Sequence, residues 1–167
     1  KGITSHDLVD EVRKITGEKR VGHAGTLDPF ATGVLVIGVS RESTKQLHEL
    51  TNSSEKEYIA EIEIGKKSTT GDPEGVITET ATKEKVLSLT KEGLSKTLSS
   101  FIGDRKQTPP IYAAIKIKGV PAYKLARKGK NVVLPSRKVQ IHKIELLKYS
   151  PPLLKIRVVC SSGTYIR

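Results

Sequence analysis

Cysteine is nearly absent from this 167-residue chain: Cys160 stands alone, cannot form an internal disulfide, and fits a reducing, cytoplasmic setting. Aromatic residues are scarce, five Tyr and two Phe with no Trp, so a broad stacking platform for single strands is not supported. No apolar run approaches the roughly 20 residues of a membrane-spanning helix, and no membrane partner is expected. Lys1-Gly2-Ile3-Thr4 carries neither a signal-peptide apolar stretch nor an initiator Met, which places the expected native N-terminus outside the chain. His6, His23, His48 and His142 are scattered without paired ligand spacing, so no metal is expected. The length is that of one domain, and 36% hydrophobic with 28% charged residues reads as a soluble globular protein with a real core.

Acidic groups are missing from one half. Residues 1–100 hold 14 basic and 16 acidic side chains, a net of −2. Residues 101–167 hold 15 basic side chains against only Asp104 and Glu145, a net of +13. A solubilising surface normally mixes both signs. A neutral half beside a strongly basic one points instead to a polyanion partner, bound through counterion release.

Local patterning predicts one mixed α+β domain. Thr4 and Asp7 form a capping box for a helix from Ser5 to about Thr16, with Leu8, Val9, Val12 and Ile15 on one face and Gly17 as its stop. Residues 20–33 read as a Gly-rich loop, followed by Val34–Val39 as a strand buried on both faces. A short helix is expected over 43–50, an alternating strand over Lys56–Ile64, a turn at 71–75 and a return strand over Val76–Thr80. Thr90–Ile102 predicts a helix with Leu94, Leu98 and Phe101 inward and Gly103 at its end. Residues 105–136, rich in Pro and Lys, read as a functional excursion holding a short helix over Ala122–Lys128. Lys138–Tyr149 and Leu153–Cys160 are expected as paired strands.

The loop Gly22-His23-Ala24-Gly25-Thr26-Leu27-Asp28-Pro29 is the candidate for chemistry. Pro29 holds Asp28 out of the α region, and an acid at the mouth of an apolar core is a candidate nucleophile or general base. Read from the residues alone, the turn-capping role of Asp28 is the favoured reading over a chemical one. A phosphate-cradling P-loop lacks its Gly-Lys-Ser/Thr ending here.

Four ordered blocks resemble the TruB family of tRNA pseudouridine synthases. The first is Lys1–Val9 with Val21-Gly-His-Ala-Gly-Thr-Leu-Asp-Pro-Phe-Ala-Thr-Gly-Val-Leu35. Next come Lys56–Ala60 with Gly65, Thr69, Asp72, Gly75 and Val76, and then Gln107–Lys116 with Gly119, Tyr123, Ala126-Arg127 and Gly129. Cys160-Ser-Ser-Gly-Thr-Tyr-Ile-Arg167 closes the set, so the resemblance spans essentially the whole chain. Ala113 stands where the family commonly shows Ser.

The resemblance implies the pseudouridine synthase fold: a mixed, mostly antiparallel sheet flanked by helices and loops, with a basic RNA-binding insertion over about 105–136. It implies isomerisation of uridine to pseudouridine at position 55 of the tRNA T-arm loop, by base flipping and without a cofactor. Asp28 matches the catalytic aspartate, Arg167 the arginine that pairs with it, and Tyr58 the tyrosine that stacks on the target base. His23 matches a histidine that helps displace the nucleotide, and Tyr165 a second aromatic of the pocket. The core-packing reading of Tyr58 and Tyr165 stays open beside these roles. Lys116, Lys118, Lys124, Arg127, Lys128 and Lys130 are expected to hold RNA phosphates. The family pattern continues past Arg167 and often adds a PUA domain, so the chain is expected to be a single, incomplete catalytic domain without either, and a monomer. Two other readings are a guide-RNA-dependent, dyskerin-type synthase and a catalytically incompetent tRNA-binding or folding module.

Overall fold

In the computed structural model, which describes residues 2–167, the chain falls into two units, Lys1–Ser54 and Glu55–Arg167. The first opens with helix α1 (Ser5–Thr16). Its capping box closes in both directions: Asp7 N donates to Thr4 Oγ1 at 3.1 Å, and Thr4 N donates to Asp7 Oδ2 at 2.8 Å. Gly17, at φ 69°, ends the helix by donating to Arg13 O. Val9 is buried, but Ile15, expected on the same face, is 76% exposed. A 12-residue helix is about 18 Å long and outruns the four-residue strand it packs on, about 13 Å.

That strand is β1 (Val21–Ala24), paired antiparallel with β2 (Val36–Val39) from Val21↔Val39 to Ala24↔Val36. Two expectations are corrected here. The first residues of the anticipated Gly-rich loop are strand, and the apolar run 34–39 is not buried on both faces: Val34 is 90% exposed and Val36 43%. Val34 precedes β2 and Val36 is its first residue, so both lie at the end of a short two-stranded ladder, where cover is least. Helix α2 (Arg41–Ser53), capped by Ser40, is longer than the expected 43–50 and buries Leu47 against Gly22 and Gly38.

The second unit runs β3 (Lys56–Glu63), β4 (Lys66–Ser68), β5 (Ile77–Glu79), α3 (Lys83–Leu87), α4 (Lys91–Ser99) and β6 (Gly103–Gln107). It continues with β7 (Lys116–Ile117), β8 (Val120–Pro121), α5 (Ala122–Arg127), β9 (Arg137–Ser150) and β10 (Leu153–Cys160). A four-stranded antiparallel sheet, in the order β3-β10-β9-β6, carries the core. Leu154, Ile156, Val158 and Cys160 alternate on its buried face, with Leu94 and Leu98 of α4 packed over them. The residues between them on β10 face charged neighbours: Lys155 pairs with Glu61 and Arg157 with Glu57. That alternation is the period-2 pattern of a half-buried strand. Burial pushes the Cys160 thiol up, partly offset by a hydrogen bond with Thr164.

Phe101, expected inward, is 49% exposed beneath the Arg105 guanidinium, 5.6 Å from its ring centre. The helix stops at Ser99, so Phe101 lies outside the helical register that would have turned it inward. Helix α3 had no periodic signature to announce it, since five residues make barely more than one turn. The excursion starts after Gln107, because β6 is an edge strand of the main sheet rather than part of a loop. Within the excursion, β7 and β8 form a hairpin. Ala122 N donates to Ile115 O at 2.7 Å and Tyr123 N to Ala113 O at 3.1 Å, docking α5 onto it. Ala113 and Ala122 are buried at that junction, so a small apolar residue at 113 packs without an orphaned hydroxyl.

Candidate active site

In the first unit, backbone hydrogen bonds set the position of Asp28. Ala31 N donates to Asp28 O at 2.9 Å, closing a turn with Asp first and Pro29 second, the positions those residues favour. Leu27 N donates to the buried Ser5 Oγ at 3.0 Å, and Gly2 N donates to Pro29 O at 2.8 Å. The acid therefore sits half-buried on a turn tied down on both sides. His23 lies on β1, and its Nδ1 donates to Gly25 O at 2.5 Å, which fixes the tautomer. It lines an open hollow of about 370 Å³ with Gly22, Thr44, Leu47, His48 and Thr51.

Arg167, in the second unit, is held by groups that the sequence separates widely. Its Nη1 donates to Asp72 Oδ2 at 2.5 Å, and its Nη2 donates to Tyr112 O at 2.9 Å. Both side chains of the ion pair are buried, 16% exposed for Arg167 and 5% for Asp72. Burial alone pushes the Asp72 carboxyl up. Donation from Thr70 Oγ1 at 2.6 Å, Glu74 N at 3.1 Å and Arg167 outweighs it and holds the carboxyl below its ordinary range. The turn that shapes this carboxylate site admits only glycine at 75, where a Cβ would lie 2.3 Å from both Ser68 Oγ and Thr70 Oγ1.

Tyr165 sits two residues before that arginine. Its backbone bonds the Gln107 carboxamide in both directions, and the Arg137 guanidinium lies 5.1 Å from its ring centre. Tyr58, opposite Val158 in the ladder, packs half-buried against the core cluster, the inward position its strand parity predicts. Lys116, Lys118, Lys124, Arg127, Lys128 and Lys130 are all exposed on the β7–β8 hairpin, α5 and the turn after it. Lys124, Arg127 and Lys128 follow helical spacing and share a face, with Arg127 5.7 Å from the Tyr123 ring centre.

The structure thus brings Tyr165 and Arg167 together in one segment, and the six cations together on one hairpin and helix. Asp28, on its turn, and His23, on β1, belong to the other unit. Sequence reasoning gave no role to Asp72, Gln107, Tyr112 or Arg137. Asp72, Gln107 and Tyr112 lay within the quoted motifs, whereas Arg137 lay outside them, and an acid beside Gly71 and Gly75 was a further signal for Asp72. Among the described residues, no group of three or more His, Cys, Asp or Glu could hold a metal, and no helix is long and apolar enough to cross a membrane.

Residues 13–166 match the profile of the TruB family pseudouridylate synthase N-terminal domain. A tRNA pseudouridine synthase B of Dehalococcoides mccartyi strain CBDB1 is 46% identical over 166 residues, covering 99% of this chain and 54% of its own. Its namesake from Francisella tularensis subsp. tularensis strain WY96-3418 is 45% identical over 167 residues, covering 100% and 54%. The chain spans about half the length of these curated relatives. Among solved structures, a Cbf5–Nop10–Gar1 complex matches at 26% identity and a TM-score of 0.63, over 99% of this chain and 38% of that one. An H/ACA RNP bound to a substrate RNA containing 2′-deoxyuridine matches at 22% identity and a TM-score of 0.60, over 99% and 37%, a likeness of fold.

Proposed function

Because the chain belongs to the TruB family of pseudouridylate synthases, we propose that it serves the isomerisation of uridine to pseudouridine in RNA, at position 55 of the tRNA T-arm loop. The observation that carries this reading is the Arg167 site. Three motifs far apart in sequence contribute Asp72, Tyr112 and Arg167 to one buried hydrogen-bonded cluster. A cation buried at that cost has a use beyond stability, since an apolar pair of similar volume would fold as well or better.

The chemistry assigns Asp28 the attack on the target uridine. A carboxylate nucleophile must stay ionised in an apolar recess; desolvation opposes this and a guanidinium restores it, the part assigned to Arg167. The uridine is extruded from its loop at a cost of a few kcal/mol, with His23 displacing it and Tyr58 and Tyr165 offering ring faces to the base. The glycosidic bond is broken at C1′ and carbon–carbon attachment is made through C5, so the C5 proton is the atom lost. The six exposed cations of the hairpin and α5 hold backbone phosphates and position the stem without reading its bases. The protein works as a monomer in the cytoplasm and without a guide RNA. The 45–46% identity to enzymes named tRNA pseudouridine synthase B favours this over the dyskerin-type reading.

The test is release of tritium from C5-labelled uridine in an unmodified T-arm hairpin without guide RNA. Release is expected from the wild type. Asp28→Asn abolishes it while hairpin affinity stays within about twofold, because the change removes one charge at the reacting centre and no phosphate contact. A wild-type protein that binds the hairpin and never releases tritium supports the RNA-binding module instead.

A further inference from the structure

We propose that the last rung of the β6–β9 ladder, Gln107 opposite Arg137, is a positioning device for Tyr165 and sets the rate of the isomerisation without touching RNA. This rests on the isomerase reading above and deepens it.

The segment that follows β10 has no regular structure up to Arg167. Its backbone groups must therefore find partners one by one. Near its start, Ser161 N donates to Gln140 O at 2.8 Å. Further along, the rung takes over. Gln107 Nε2 donates to Tyr165 O at 2.8 Å, and Tyr165 N donates to Gln107 Oε1 at 2.9 Å. The carboxamide thus pairs with Tyr165 as a neighbouring strand would, satisfying donor and acceptor from one rigid planar group.

Its ladder partner grips the same segment from another direction. Arg137 Nη2 donates to Gly163 O, and the guanidinium sits 5.1 Å from the Tyr165 ring centre. Gly163 is at φ 80°, and a Cβ there would lie 3.3 Å from Arg137 Cζ. One rung therefore fixes both the backbone and one ring face of Tyr165, two residues before Arg167. Neither rung residue belongs to the core cluster, which is built on Leu154, Ile156, Val158 and Cys160. Their side chains spend their bonds on the functional segment, so their loss should fall on rate more than on folding.

The experiment uses Gln107→Ala, Gln107→Glu and Arg137→Lys in the otherwise unaltered protein, with three readouts. Single-turnover tritium release at saturating hairpin should fall about tenfold to a hundredfold in Gln107→Ala, the range expected of a small misplacement at a reacting site. Hairpin affinity should stay within about twofold, a loss in kcat without one in KM. Exchange of the Tyr165 amide proton should quicken at least about tenfold while amides of β10 keep their protection.

Gln107→Glu sharpens the result. An ionised Glu still accepts from Tyr165 N but faces Tyr165 O with a second acceptor, whereas a protonated Glu restores the donor. Its rate relative to wild type at the same pH should therefore recover as pH falls, a change that general destabilisation does not produce. Arg137→Lys keeps the charge but loses the planar fork, so it should slow release without altering affinity. Unchanged amide exchange at Tyr165 in Gln107→Ala overturns the clamp while the isomerase reading stands. Faster exchange with an unaltered rate overturns its role in catalysis. A wild type that releases no tritium overturns the isomerase reading itself.

Discussion

Asp28 and Arg167, the groups on which the proposed chemistry depends, are held in place by opposite means. The turn that presents Asp28 is tied by neutral hydrogen bonds: Ala31 N to Asp28 O within it, Gly2 N to Pro29 O, and Leu27 N to Ser5 Oγ from 22 residues upstream. Arg167 is gripped through charge, by a buried carboxylate 95 residues away and a backbone carbonyl 55 residues away. The backbone bonds of that turn fix where the Asp28 Cα stands. A guanidinium is planar, permanently charged and long, so it needs external partners to hold one orientation. The contrast teaches that neutral backbone and hydroxyl bonds place the Asp28 turn, whereas an ion pair places Arg167.

The contrast is broken most readily at Asp72. Asp72→Ala removes the ion pair with Arg167 and is expected to cost about 3 kcal/mol, read as a lowered urea midpoint. Asp72→Asn should cost less, because the amide still accepts from Thr70 and Glu74 N.

Ser5→Ala removes the Ser5 Oγ tie on the Asp28 turn and should cost about 1 kcal/mol in the same measurement. If Ser5→Ala proved the more damaging, the ranking of the neutral and the charged support would be reversed.

Acid sharpens the difference further. The Asp72 carboxyl lies below its ordinary 3.8 in the folded protein, so its contribution is complete above about pH 4 and is lost as pH falls through the folded value. A pH series of urea midpoints should show that loss in the wild type and lack it in Asp72→Asn.

The smallest effect on stability concerns the exposed cations. Lys124→Glu with Arg127→Glu should leave the urea midpoint unchanged and weaken hairpin binding several-fold. The slope of log affinity against log salt should fall by about 2, as measured by titration at several salt concentrations.

What could be read from the residues is what short-range chemistry decides. The capping box of Thr4 and Asp7, the Gly17 stop and the turn at Asp28-Pro29 each rest on atoms a few positions apart, and each stands in the structure where the pattern put it. The alternation of β3 and β10 was likewise legible, because side-chain parity belongs to the strand itself. Val34–Val39 misled because an apolar run records side-chain chemistry and not how many layers come to cover it. Phe101 misled because its inward facing needed two more helical residues than α4 has.

The motifs marked which residues matter, and spacing carried no information about which of them meet. Asp72 with Arg167 and Gln107 with Tyr165 are pairs 95 and 58 residues apart, which only the folded chain brings together.

The order of amino acids by itself determined the family, the basic half, the capped first helix and the identity of the acid on its proline-held turn, since all of these are composition or short-range chemistry. Only the tertiary structure decided which carboxylate anchors Arg167, which rung of the sheet grips Tyr165 and which apolar residues stay in water. Those outcomes depend on long-range contacts, in which groups 58 and 95 residues apart come within 3 Å of each other.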